Sequence, residues 1–136
     1  MANIRPISAS KYGISRHKFL QAYHFCMQYN EWKDELKYKT DTVGVQEMDG
    51  MPRGKGGTSN STEKFAIQRV ELFRKCEIVE QTAIEADAEL YQWILKAVTN
   101  EGITYTYLKE RMNIPCGKKM YYDRRRKFYY LLSKEI

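Results

Sequence analysis

The chain has 136 residues, a formal net charge of +6, 43% hydrophobic and 13% aromatic side chains. That length suits one domain with a modest core, and that apolar content excludes a wholly disordered polymer. No apolar run is long enough to span a membrane, and the start, Met1 to Pro6, lacks the apolar core of a secretory signal.

The charge is unevenly placed. Residues 1–30 sum to +4, residues 31–103 to −4 and residues 104–136 to +6. An acidic middle between two basic ends offers those ends to a polyanion. Cys26, Cys76 and Cys116 are far apart, and with only His17 and His24 beside them they give no metal-ligand spacing. No cofactor, metal or catalytic set is expected, the chain reads as a non-enzyme, and a reduced cytoplasmic location follows from the unpaired cysteines.

Residues 1–14 read as an N-terminal tail or short helix. Ser15 is a plausible N-cap for a helix over 15–43, whose apolar face runs Phe19, Ala22, Cys26, Tyr29, Trp32 and Leu36 at intervals of three and four. Residues 44–60 hold five glycines and one proline and read as a flexible loop. Arg53 and Lys55 there lack the order of a phosphate-binding loop. Central helices are expected over 61–100, capped by Asn60 with Glu63 or by Ser61, with Phe65, Leu72, Cys76, Val79, Ala83 and Ala86 on one face. Leu90, Trp93, Ile94 and Ala97 continue the pattern, and whether Asp87 divides it is open at this level. Gly102 suits the end of that segment.

The region 103–136 divides into a short helix, a turn and a longer helix. Thr104 caps the first, with Tyr107, Leu108 and Met112 as inward candidates. Asn113 tolerates the left-handed conformation, Ile114 is the apolar anchor, and Pro115 with Gly117 prevents continuation. The last helix runs from Lys118 or Lys119 to about Lys134, with Tyr121, Phe128, Leu131 and Leu132 inward. Lys118, Lys119, Tyr122, Arg125, Arg126 and Tyr129 fall on the other face as candidate DNA contacts, and Arg124 completes the set as a less favoured contact, set beside Tyr121 towards the buried side. This order is that of a helix-turn-helix, whose second helix enters the major groove of duplex DNA. Arginine pairs with guanine edges there, and the remaining cations neutralise phosphates. The fold expected is all-α: a helical bundle with long central helices and a C-terminal helix-turn-helix.

The layout Phe19–Leu36, Gly44–Asn60, Thr62–Val98 and Ile103–Leu132 resembles the RinA and ArpU group of small phage transcription regulators, themselves similar to the last DNA-binding region of sigma factors. The near-motif is Gly57-Thr58-Ser59-Asn60-Ser61-Thr62-Glu63-Lys64; the turn Asn113 to Lys119 is longer than that group's by about a residue. The resemblance implies a sequence-specific binder of double-stranded DNA in a bacterial host, with host RNA polymerase as a further partner. Two rivals use the same basic helix: a DNA-packaging recognition subunit, and an inhibitor docking on a host defence complex. Trp32 and Trp93 are candidate contacts for a homodimer. A second, weaker echo of a helix-turn-helix bend lies at Lys11 to Phe19; no proper first helix precedes it, which favours a helix start whose basic residues are merely exposed.

Overall fold

The computed structural model describes residues 12–37 and 56–136, with side chains from Thr62 onward in the second stretch. All regular structure among them is α-helical. The helices are α1 (Arg16–Met27), α2 (residues 29–37, as far as the described stretch extends), α3 (Gly56–Ala86), α4 (Tyr91–Thr99), α5 (Tyr105–Met112) and α6 (Lys118–Glu135). None of them is long and apolar enough to cross a membrane.

Local chemistry sets most of the ends. The Ser15 side chain accepts a hydrogen bond from the Lys18 amide at 3.1 Å and starts α1; Thr104 accepts from Tyr107 N at 3.1 Å and starts α5. Asp87 settles the open question of the central helices. Its Oδ1 accepts from the amides of Glu89 and Leu90 at 2.9 and 3.0 Å, so the chain turns there and α4 begins as a separate helix.

Two expectations need correction. The helix expected without a break over 15–43 is interrupted at Gln28, whose amide bonds back to Phe25 O at 3.3 Å before helix resumes at residue 29; the residues after 37 lie outside those described. The loop expected over 44–60 is helical from Gly56, so neither Asn60 nor Ser61 is the cap of α3. Helix propagation adds a hydrogen bond per residue once a turn exists, and extension through two glycines costs only about 1 kcal/mol each. Residues 44–55 lie outside the described set.

The chain forms two compact units, one of residues up to Gln28 with Ile78–Ile136, the other within Tyr29–Glu77. In the first, α1 packs on α6 and α4, and α4 also meets α6. Its core joins Phe19, Ala22 and Cys26 of α1 to Ile94 and Val98 of α4 and to Tyr121, Phe128, Tyr129 and Leu132 of α6, all essentially without solvent contact. In the second unit Tyr29, Trp32, Leu72 and Cys76 are buried, and the Lys75 ammonium lies 5.3 Å from the Trp32 ring centroid. Trp32 is therefore a core residue of its own unit and is withdrawn as a homodimer contact.

The ring of Tyr129 meets Phe19 edge-on at a centroid distance of 5.0 Å. Its buried hydroxyl makes no hydrogen bond of sound geometry among the described residues, although the Arg125 guanidinium lies by the ring and favours the phenolate against the burial that disfavours it. Tyr129→Phe should leave the unfolding free energy unchanged or raise it by about 1 kcal/mol, since it removes an unsatisfied polar group. Phe19→Ala, which empties the same seam, should lower it by about 3–5 kcal/mol. Urea denaturation of both variants checks the pair; a large loss for Tyr129→Phe would mean the hydroxyl is satisfied.

Candidate nucleic-acid interface

The basic C-terminal region is built around the turn between α5 and α6. Asn113 closes α5 in the left-handed conformation, at φ 53° and ψ 47°, and its amide bonds to Leu108 O. The Ile114 amide returns to the same carbonyl at 3.1 Å, while its side chain is fully buried. Two side chains tie the turn from outside: Trp93 Nε1 donates to Met112 O at 2.9 Å, and the Tyr105 hydroxyl donates to Cys116 O at 2.6 Å. Trp93 thus anchors α4 to the end of α5, and its indole N–H is already engaged there. Gly117 then starts α6 with extended backbone, and Tyr121 N bonds to Gly117 O at 3.1 Å.

The inward set of α5 is corrected in part. Leu108 is buried as its spacing requires, but Tyr107 is exposed and Met112 only half-buried. Tyr105 takes the inward place: its ring lies 5.9 Å from that of Tyr121, with the hydroxyl on the turn. On α6, Tyr121, Phe128 and Leu132 are buried, whereas Leu131 is only half-buried.

The expected contact residues separate by environment. Lys118, Lys119 and Arg126 are exposed, and Tyr122 is half-exposed. Lys119, Tyr122 and Arg126 stand at i, i+3 and i+7, one row along the helix. Tyr129 is buried and is removed from the contact face: it directly follows Phe128 and lies about one turn before Leu132, and its ring meets Phe19 of α1. Arg125 is half-buried, with its guanidinium 5.4 Å from the Tyr129 centroid. Arg124 does turn towards the core side, but is held by charge: Nε donates to Asp87 Oδ2 and Nη1 to Asp123 Oδ2, both at 3.0 Å.

That last pair matters electrostatically. Asp123 is the one acid between Lys118 and Lys134 in the sequence, and it is engaged by Arg124. Three cations absent from the sequence-based set join the region: Lys109 and Arg111 are exposed on α5, and Lys127 is half-exposed on α6. Their i, i+2 spacing on a short helix gave no periodic signal, although the same net charge of +6 contained them.

Buried acids of the region hold their protons tightly. Burial foremost pushes the Tyr121 hydroxyl up to about 12, with Arg125 opposing. Tyr129 and Cys26 are raised by burial too. The Cys116 thiol is raised first by burial and then by the Asp87 charge, against Lys109, so it stays protonated near neutral pH and a poor nucleophile. Among the described residues no three His, Cys, Asp or Glu side chains converge on a metal-binding geometry. Comparison with protein-family models, with curated proteins and with solved structures finds no match for this chain.

A pH dependence follows. Because Tyr121 binds its proton more tightly folded than unfolded, its contribution is complete below about pH 10, the unfolded value. It is lost as pH rises through the folded value of about 12. Unfolding free energy should therefore fall between pH 10 and 12 by about 2–3 kcal/mol from this residue alone, with Tyr129 adding in the same direction. Denaturant titrations at stepped pH, with tyrosinate absorbance followed in parallel, measure it; ionisation of every tyrosine near pH 10 without loss of structure would contradict it.

Proposed function

We propose that α5, its turn and α6 act as a helix-turn-helix that binds double-stranded DNA, and that the chain is a transcription regulator of the kind it resembles in sequence layout. One observation carries the reading: the exposed members of the expected contact set are all cations, Lys118, Lys119 and Arg126, on a helix whose intervening acid is paired. Tyr122 lies between them and supplies a hydroxyl for phosphate or a base edge.

In this reading the first turns of α6 enter the major groove. Arg126 or Lys119 reaches a guanine edge, while Lys118, Lys109 and Arg111 neutralise backbone phosphates. The start of α6 supports the same polarity. It has no acid in its first turn and no side-chain cap at Gly117, so its dipole and Lys118 act together on an anion. The locked turn supports it as well, because base readout needs a helix held in one orientation. The regulator part rests on the resemblance to the RinA and ArpU group, a likeness of order and spacing.

Fluorescence anisotropy on mixed-sequence duplex DNA across a salt series tests the reading. The native chain should bind with a steep salt dependence. Lys119→Ala/Arg126→Ala should weaken binding at least about tenfold and reduce the slope by about 1, near 0.9 for the one phosphate no longer neutralised, because the other side chain reads a base edge. Arg124→Ala should leave the slope nearly unchanged, since that guanidinium faces Asp87 and Asp123. No duplex binding at low salt would overturn DNA recognition and leave the basic helix to a protein partner, as in the defence-inhibitor reading.

A further inference from the structure

Within the second unit, α3 is apolar on two opposite sides. One side carries Leu72 and Cys76, buried with Trp32. The other carries Ile67, Val70 and Phe73, which stay 60%, 65% and 61% exposed. At 3.6 residues per turn these three fall within a sector of about 120°, roughly opposite Leu72. Isolated exposed apolar residues are ordinary, but three large ones in contiguous turns of one helix make a patch of the kind that meets another surface.

The charges on this face select the occupant. Glu63 stands at its N-terminal end, and Arg74 and Glu77 stand at its C-terminal end, all three exposed and in the sector spanned by Phe73, Val70 and Ile67. Glu63 and Arg74 are complementary when a second copy is reversed on this face, while Glu77 lies one turn from Arg74 of its own helix. An antiparallel pair of α3 helices about a two-fold axis sets Glu63 of each copy beside Arg74 of the other. It also sets Ile67 against Val70 and places Phe73 over the small side chain of Ala66. A parallel pair would instead set Glu63 on Glu63 and Arg74 on Arg74, and like charges in register repel. A two-fold interface requires this reciprocity, in which residue i meets residue j and j meets i.

We infer that the Glu63–Glu77 face of α3 is a homodimer interface, formed by antiparallel pairing with a second copy of this chain. The inference is independent of DNA binding, because the assembly is measured with no nucleic acid present.

Sedimentation velocity of the full chain over a concentration series should show a reversible monomer–dimer equilibrium. Phe73→Glu should weaken it at least about tenfold, with far-ultraviolet circular dichroism unchanged because the side chain is exposed. Glu63→Arg and Arg74→Glu should each weaken the dimer, and the double exchange Glu63→Arg/Arg74→Glu should restore it. A chain that stays monomeric throughout, or a dimer indifferent to Phe73→Glu, overturns the interface. A double exchange that fails to restore association overturns the antiparallel arrangement. None of these outcomes bears on the salt dependence of DNA binding.

Discussion

The aromatic seam along α6 decides what that helix can present to anything else. Tyr121, Phe128 and Tyr129 are sealed from solvent, with Phe19 of α1 edge-on to Tyr129 at 5.0 Å and Tyr12 against Tyr130 at 5.7 Å. Once these rings are in place, the rotation of α6 about its own axis is fixed, and every cation inherits its surroundings from it. The run Arg124-Arg125-Arg126 shows the consequence. Neighbouring residues on a helix point about 100° apart, so three identical side chains reach three environments. Arg124 meets Asp87 and Asp123, Arg125 lies by the ring of Tyr129, and Arg126 faces solvent. A charge count along the sequence treats them alike; the seam does not.

The same logic separates what was legible in the sequence from what was not. Ser15, Thr104, Asn113 and Ile114 were legible because each acts through its own backbone neighbourhood: a short polar side chain before a helix, a residue tolerant of positive φ, an apolar side chain at a bend. The all-helical character followed from apolar spacing over long stretches. Tyr129 was not legible, because tyrosine serves both buried and exposed positions, and only the arrival of Phe19 from the other end of the chain decides which. The exchange of Tyr107 for Tyr105 on the inner side of α5 has the same cause: the hydroxyl of Tyr105 has a carbonyl to meet, that of Cys116, eleven residues later. Cap rules likewise misplaced the start of α3. A cap residue favours a helix end but does not forbid the helix from continuing past it.

The turn between α5 and α6 is held by three independent means. Backbone returns to Leu108 O, the Ile114 side chain enters the core, and the side chains of Trp93 and Tyr105 reach the carbonyls of Met112 and Cys116. Such redundancy makes the direction of α6 a property of the surrounding unit, since Trp93 lies on α4 and Asp87, which holds Arg124, lies where α3 ends. A helix whose orientation is imposed from three elements suits recognition of a rigid partner surface, where a small tilt misplaces several contacts together. On the proposed reading that partner is the duplex groove.

Energetics set the scale of the self-association inferred for α3. Fully burying a large apolar side chain is worth roughly 1.5–3 kcal/mol, so Ile67, Val70 and Phe73, already about two-fifths covered, have some 3–5 kcal/mol per copy still to gain. Bringing two chains together costs an estimated 4–15 kcal/mol in lost rigid-body freedom. Two copies of the face therefore exceed the lower part of that range without a wide margin, and the end charges add little at an exposed position. The expected product is a reversible dimer that responds to concentration rather than an obligate one. On the proposed DNA-binding reading that weakness has a use. If each copy engages one half-site, a bound duplex raises the effective concentration of one copy beside the other, and a marginal protein contact then discriminates paired half-sites from isolated ones.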